Sequence, residues 1–293
     1  MKIGMCLPYM EREFSRADIL AWCRAIDGGG FSTLACGERV TGHTYDMRVL
    51  LSAAAAVTER VTIMPTLYVL PMHSAARVAK EMATLDVLTE GRSALAVGVG
   101  GREMDYRALG ASFERRHERL DEQVAELKRL WAGGRPFEGA DELGPAPIQA
   151  GGPPIFAGAM GPKAIRRAAA WAEGLYSWSG NGEAAEIEGQ LALARAAWQE
   201  AGREEAPRRL VGFWLSLADD ASARLQRYVY EYLRVFGEAP ARAAAKTMTR
   251  STPAAVGEAL DAMEALGAEE CLLVPATADL SEVDRAAEII ASR

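Results

Sequence analysis

Four short strings in this chain combine ionisable, hydroxyl and glycine residues in ways that could support chemistry. The first is Val97-Gly98-Val99-Gly100-Gly101-Arg102-Glu103-Met104-Asp105-Tyr106. Glycines at 98, 100 and 101 let a flat ligand or a second backbone approach closely. Arg102, Glu103 and Asp105 follow at once. Carboxylates beside a guanidinium suit acid–base work, because burial and a neighbouring charge set their pKa. Glu103 is the leading candidate, with Asp105 after it. The second string, Gly37-Glu38-Arg39-Val40-Thr41-Gly42-His43, offers Glu38 either as a proton carrier or as the buried half of an ion pair with Arg39. His43 in the same loop is either a surface residue or a lower-ranked proton donor.

The third string, Ala157-Gly158-Ala159-Met160-Gly161-Pro162-Lys163, places small residues where a helix opens. Free N–H groups and the positive end of the helix dipole favour an anion there. The fourth, Ser177-Trp178-Ser179-Gly180-Asn181, adds hydroxyl and backbone donors. Two such loops suit a phosphorylated cofactor, and they also suit two ordinary strand-to-helix turns. His73 opens a helix and His117 sits on a polar helical face. No Ser-His-Asp set, zinc-ligand spacing or Walker loop is present, and no metal site is expected.

The elements that must position these strings alternate along the chain. Apolar strand-like runs fall at Lys2–Tyr9, Ser32–Glu38, Val61–Leu70, Ser93–Gly100, Pro154–Ala159, Gly174–Ser177, Leu210–Ala218 and Glu270–Ala276. Each is apolar on both sides, as strands covered on both faces should be. Between them lie helical stripes: Leu120/Val124/Leu127/Trp131, Ile187/Leu191/Ala194/Trp198 and Val256/Leu260/Met263/Leu266. Thr252-Pro253 reads as an N-cap with proline at the first helical position, and Gly267 as a helix stop. The pattern predicts a (β/α)8 TIM barrel formed as one domain over residues 1–293. An open doubly wound sheet would be expected to carry a glycine fingerprint in its first βα turn, and Leu7-Pro8-Tyr9-Met10-Glu11 has none. Two insertions break the rhythm, at 133–153 and 218–251, the second with a helical stretch over Leu225–Phe236. Each is either a lid over the site or a solvated connector.

The 293 residues carry 33 Lys+Arg against 40 Asp+Glu, a net charge of −7. That balance argues against nucleic acid, which requires a basic footprint. No apolar run reaches the ~20 residues that span a bilayer. The first residues, MKIGMCLPYM, lack the apolar stretch of a secretory signal, so a cytoplasmic protein is expected. Cys6, Cys23, Cys36 and Cys271 show no CxxC spacing and read as free core thiols.

The segment Ala79-Lys80-Glu81-Met82-Ala83-Thr84-Leu85-Asp86-Val87-Leu88-Thr89-Glu90-Gly91-Arg92, followed by a strand and Gly98–Gly101, resembles the luciferase-like flavin and deazaflavin oxidoreductases. Ala108–Arg116, Leu120-Asp121-Glu122, Leu130-Trp131, Pro153–Gly158, Ile165–Ala169, Gly37-Glu38-Arg39 and Thr252-Pro253 extend the likeness along nearly the whole chain. The resemblance implies a barrel that holds coenzyme F420, or alternatively FMN, at the C-terminal mouth. It also implies a bulged third strand, often with a non-proline cis peptide, over Pro65-Thr66-Leu67-Tyr68, against which the ring rests. The cofactor phosphate would be held by Gly158, Ala159, Met160, Gly161, Ser177, Trp178, Ser179 and Gly180, with Arg39, Gly100 and Gly101 nearby. Many relatives carry His where this chain has Arg39, and Trp where it has Gly101-Arg102. The expected activity is hydride transfer between F420 and a small organic substrate, with Glu103, Glu38, Asp105 and His43 as acid–base candidates. A two-component FMN monooxygenase fed by a flavin reductase is the alternative, and a non-catalytic flavin-binding barrel is the third. Similar proteins commonly pair, so a homodimer is expected.

Overall fold

Strands apolar on both faces need a filled interior on one side and helices on the other. The computed structural model, which describes residues 1–293, shows that arrangement. Strands β1 (Lys2–Cys6), β2 (Thr33–Cys36), β3 (Thr62–Tyr68), β4 (Leu95–Val97), β5 (Ile155–Gly158), β6 (Gly174–Trp178), β7 (Arg208–Leu215) and β8 (Glu270–Pro275) form a closed parallel barrel in sequence order. Lys2↔Glu270 and Met5↔Leu34 pair across the β8–β1 and β1–β2 seams. The interior is filled by Cys6, Ala35, Met64, Ala96, Phe156, Tyr176, Leu210 and Leu272. The outward faces of the strands pack on the helices through residues such as Ile63, Leu95, Val211 and Phe213.

The helices are α1 (Arg16–Gly28), α2 (Met47–Ala55), α3 (Ala75–Leu88), α4 (Glu103–Ala108), α5 (Arg116–Trp131), α6 (Pro162–Ala168), α7 (Ala184–Glu200), α8 (Ala221–Leu233), α9 (Glu238–Lys246), α10 (Pro253–Ala265) and α11 (Ser281–Ala291). Their starts follow local chemistry. Ser15 and Asp18 close a capping box on α1, and Asp46 accepts from Arg48 and Val49 N–H on α2. Thr252 caps α10 by accepting from Ala255 N–H, with Pro253 next, and Gly267 ends that helix at φ +77°. All three apolar stripes lie against the barrel, with only Leu266 half-buried. The four cysteines are buried free thiols. No helix is long and apolar enough to cross a membrane.

The strands are shorter than the apolar runs. Beyond Cys6 and Cys36 the chain leaves the sheet as soon as it rises above the barrel rim. The β3–β4 register shifts between Thr66 and Tyr68, so Gly98 to Gly100 belong to a loop rather than to β4.

The two insertions take opposite ends of the barrel. Residues 133–153 connect α5 to β5, at the N-terminal end of the strands. That loop is pinned there by Lys80 Nζ on the Gly144 carbonyl and by Gln149, whose N–H and side-chain amide donate to buried Asp86. It is a structural connector. Residues 218–251 leave β7 at the C-terminal end and fold into α8, a 3-10 turn at Arg234–Phe236, and α9. This segment stands over the mouth.

Candidate functional site

At the C-terminal mouth the chain encloses a cavity of about 260 Å³, opening to an outer groove of about 1380 Å³. The floor is set by the end of β3. Its register shift coincides with a cis peptide between Thr66 and Leu67, and the Leu67 side chain is turned inward between β4 and β5. Glycines make room for it. A Cβ at Gly158 would lie 2.3 Å from Leu67 Cδ2, and one at Gly98 2.6 Å from Cδ1. The Gly98–Gly101 string thus first serves this chain's own side chains. Val69 fills the space a Cβ at Gly100 would need, and Phe236 of the 218–251 insertion lies against Gly101.

One wall is polar. Glu38 is nearly buried. Its Oε2 accepts from Val69 N–H at 2.7 Å and its Oε1 lies 2.7 Å from His73 Nε2. Asp105 accepts from the Thr41 N–H and hydroxyl through Oδ1 and from Arg102 Nε through Oδ2. Arg102 also reaches the Thr41 hydroxyl at 3.1 Å, while its Nη1 is buried without a partner. Arg39 has no carboxylate partner. Nη1 approaches only the Met10 sulfur, and Nε is buried with nothing to donate to. Burial, and then the Arg102 charge, lower the Arg39 pKa.

The other walls are aromatic. Trp178 and Trp214 meet edge-on at 5.0 Å, Trp214 meets Tyr232 at 5.1 Å, and Tyr232 stacks on Tyr228. Of the eight tyrosines, Tyr45, Tyr68, Tyr106 and Tyr230 hydrogen-bond within the chain. The remaining four, Tyr9, Tyr176, Tyr228 and Tyr232, all line the cavity. Burial raises the pKa of each, which keeps them protonated donors at neutral pH. Cys6, on the barrel axis below Thr66, is pushed up to about 12 by burial and stays a thiol.

Around this cavity the structure gathers Glu38, Arg39, Thr66, Leu67, Gly100, Gly101, Asp105, Gly158, Ala159, Met160 and Trp178. Gly161 and Gly180 line the outer groove. Other candidates lie elsewhere. Glu103 is exposed on the outer side of α4, because the backbone turns there to aim Asp105 inward. His43 is exposed and touches Tyr45. Strand alternation sends Pro65 and Tyr68 outward, where the Tyr68 hydroxyl donates to Glu81 of α3. The same alternation sends Ser177 into the helix layer, between inward-facing Tyr176 and Trp178. Ser179 receives the Glu183 N–H at the start of α7. His73, Tyr9, Tyr228, Tyr232, Trp214 and Phe236 escape the sequence reading. One signal was there: Tyr228, Tyr232 and Phe236 are spaced four and four, the first two on α8 and the third in the 3-10 turn that continues it.

The family model for luciferase-like monooxygenases matches residues 1–274. The chain belongs to this family. Among its relatives, an F420-dependent glucose-6-phosphate dehydrogenase from Beutenbergia cavernae is 30% identical over 210 residues. That match covers 63% of this chain and 60% of the relative. Two solved luciferase-like barrels share the fold. An F420-dependent secondary alcohol dehydrogenase, in complex with an F420–acetone adduct, has a TM-score of 0.82 at 19% identity and covers 100% of this chain and 99% of that one. The oxygenating constituent of the 3,6-diketocamphane monooxygenase of Pseudomonas putida, with FMN, has a TM-score of 0.73 at 17% identity, covering 100% and 98%. Both neighbours bind small molecules. The likeness to these two structures is one of fold; the groups they hold are F420 and FMN.

The residues present fit such a group. Leu67 gives a flat ring an aliphatic face, held from behind by two strand ends. In the outer groove the Lys163 and Ala164 N–H groups at the start of α6 have no partner, with the Lys163 side chain beside them and Arg115 and Arg167 nearby, paired with Glu118 and Asp121. These are the donors a phosphorylated tail requires.

Proposed function

We propose that this chain is an F420-dependent oxidoreductase acting on a small organic substrate, with residues 1–293 working as one barrel domain. The observation that carries the proposal is Leu67, turned inward by the bulge of β3 at the floor of an aromatic cavity that opens onto a phosphate-compatible groove. The preference for the deazaflavin is supported by the F420-dependent relative at 30% identity. When bound, the deazaflavin supplies a hydride donor or acceptor at C5.

The chain supplies the rest. Leu67 supports one face of the ring, and the Gly158–Gly161 loop with Lys163 and Ala164 N–H binds its phosphate. Trp178, Trp214 and Phe236 exclude water from the reacting side, which strengthens every charge interaction inside. Hydride transfer to a carbonyl needs a proton delivered to its oxygen, and hydride removal from an alcohol needs that proton taken away. With Glu103 and His43 outside the cavity, Glu38 is the carboxylate that lines it and also touches a second titratable group, His73. Glu38 and His73 are proposed to hold that proton between Oε1 and Nε2. Asp105 is a positioning residue: it ties Arg102 to the Thr41 loop.

Titrating the purified protein with F420 and with FMN, followed by cofactor fluorescence, tests the reading. Micromolar F420 binding is expected, together with anaerobic turnover whose pH profile loses one limb in Glu38→Gln. Micromolar binding of reduced FMN with no F420 binding would refute it and point to oxygen chemistry.

A further inference from the structure

Arg39 stands out electrostatically among the groups lining the cavity. The other three charged side chains there are each paired inside the protein, Glu38 with His73 and the Val69 N–H and Asp105 with Arg102, although Arg102 keeps one buried nitrogen, Nη1, without a partner. Arg39 has only a methionine sulfur and a buried Nε with no acceptor. Arg39 is half-buried, and its enclosed Nε has left water without gaining an acceptor, a cost that an anion brought to the guanidinium offsets. The hydroxyls of Tyr9, Tyr228 and Tyr232 also line this cavity without an acceptor in the chain. Arg39 is close enough to all three that its charge opposes the upward shift burial gives them. The result is a cluster of donors: a guanidinium fork and three O–H groups, with the available carboxylates already engaged. A group that accepts only, and carries negative charge, satisfies every member at once.

We infer that the substrate is an organic carboxylate, bound through Arg39 and the hydroxyls of Tyr9, Tyr228 and Tyr232, with its apolar body against Trp178 and Trp214. This deepens the proposed function by naming the substrate class of the same site. Substrate binding here needs no proton or electron transfer; the hydride remains that of the deazaflavin. The site works against the chain's net charge of −7, so recognition is local rather than steered by the whole surface.

The test uses the 293-residue chain without added cofactor, with Trp178 and Trp214 as built-in fluorophores and benzoate and benzamide as probes. The two share shape and differ in charge. Benzoate is expected to quench tryptophan fluorescence with a Kd at least about tenfold below that of benzamide, the difference of one charge-assisted pair. Arg39→Gln is expected to bring the two Kd values within about threefold. Arg39→Lys, which keeps charge and loses the fork, is expected to fall between, provided its melting temperature matches the wild type. Equal binding of both probes by the wild type overturns the inference, as does a benzoate preference that survives Arg39→Gln. Adding saturating F420 separates the two readings. Benzoate binding abolished by F420 gives the Arg39 site to the cofactor and overturns the inference. Benzoate preference retained in a protein that binds no F420 leaves the carboxylate site standing and removes the deazaflavin assignment.

Discussion

Gly158→Ala is the sharpest probe of the cavity floor. The new methyl would sit 2.3 Å from Leu67 Cδ2 and 2.5 Å from Cδ1, distances no native contact shows. Leu67 is confined on the Gly98 side as well, where a Cβ built on that glycine would lie 2.6 Å from Cδ1, so it must move up into the mouth. Overpacking of this kind costs about 1–3 kcal/mol. At roughly 2–4 °C per kcal/mol for a chain of this size, the melting temperature should fall by about 2–12 °C. The larger effect is on the ring that the proposal places on Leu67. Losing contact over ~80 Å² at ~25 cal/mol per Å² costs about 2 kcal/mol, near thirtyfold in Kd. Leu67→Ala removes both close contacts, so in that background Gly158→Ala should be nearly free. The double-mutant cycle should then show a coupling of about 1–3 kcal/mol in thermal or urea melts, with F420 affinity followed by cofactor fluorescence. Single effects that add within ~0.5 kcal/mol, with F420 affinity unchanged in Gly158→Ala, would refute the assignment of Leu67 as the platform.

Three further outcomes follow from packing and charge. Asp86, fully buried, accepts from the Ser93 hydroxyl and twice from Gln149. Asp86→Ala should cost about 3 kcal/mol in a urea melt by orphaning these donors, with cofactor affinity untouched, because this pin lies at the far end of the barrel. Partial burial opposes ionisation of Asp27, yet the N–H groups of Glu59, Val61 and Arg60 hold its pKa below the ordinary carboxyl value of 3.8. The stability it contributes is therefore present above that value and lost as pH falls through the folded pKa. Melting wild type and Asp27→Asn from neutral pH down to acid should show a gap at pH 7 that closes below 3.8. Phe236→Ala should leave the melting temperature within about 2 °C, since the ring is mostly exposed, and raise the cofactor off-rate measured by stopped flow several-fold.

The barrel was legible because its signals are long and redundant. Eight doubly apolar runs and three complete helical stripes point the same way, and Thr252-Pro253 and Gly267 act through local chemistry alone. The site was most legible where a residue ends its strand, as Gly158 and Trp178 do, or follows it within three positions, as Glu38 and Arg39 do. Alternation hid the rest. A one-residue difference in phase separates inward Trp178 from outward Ser177, and a string of letters does not carry that phase once a bulge or a rim intervenes. Glu103 and Asp105 are two residues apart in one short helix, α4. The backbone turn at Arg102, invisible in the sequence, decides which of them reaches the cavity. Arg39 was noted as a departure from its relatives, and its lack of a partner is a property of three dimensions only.

The segment that roofs the mouth is one contiguous stretch, 218–251, joined to the rest through β7 and the Thr252 cap. It contributes Tyr228, Tyr232 and Phe236 to the cavity and Leu233, Ala244, Thr247 and Met248 to the groove. None of the eight strands runs through it, so the ladder that closes the barrel is indifferent to its sequence. The floor and the roof of the mouth are in that sense written in separate paragraphs of the chain. Exchanging residues 218–251 as a cassette should change which molecules enter, while the bulge, the glycine cradle and the Gly158–Gly161 loop carry on as before.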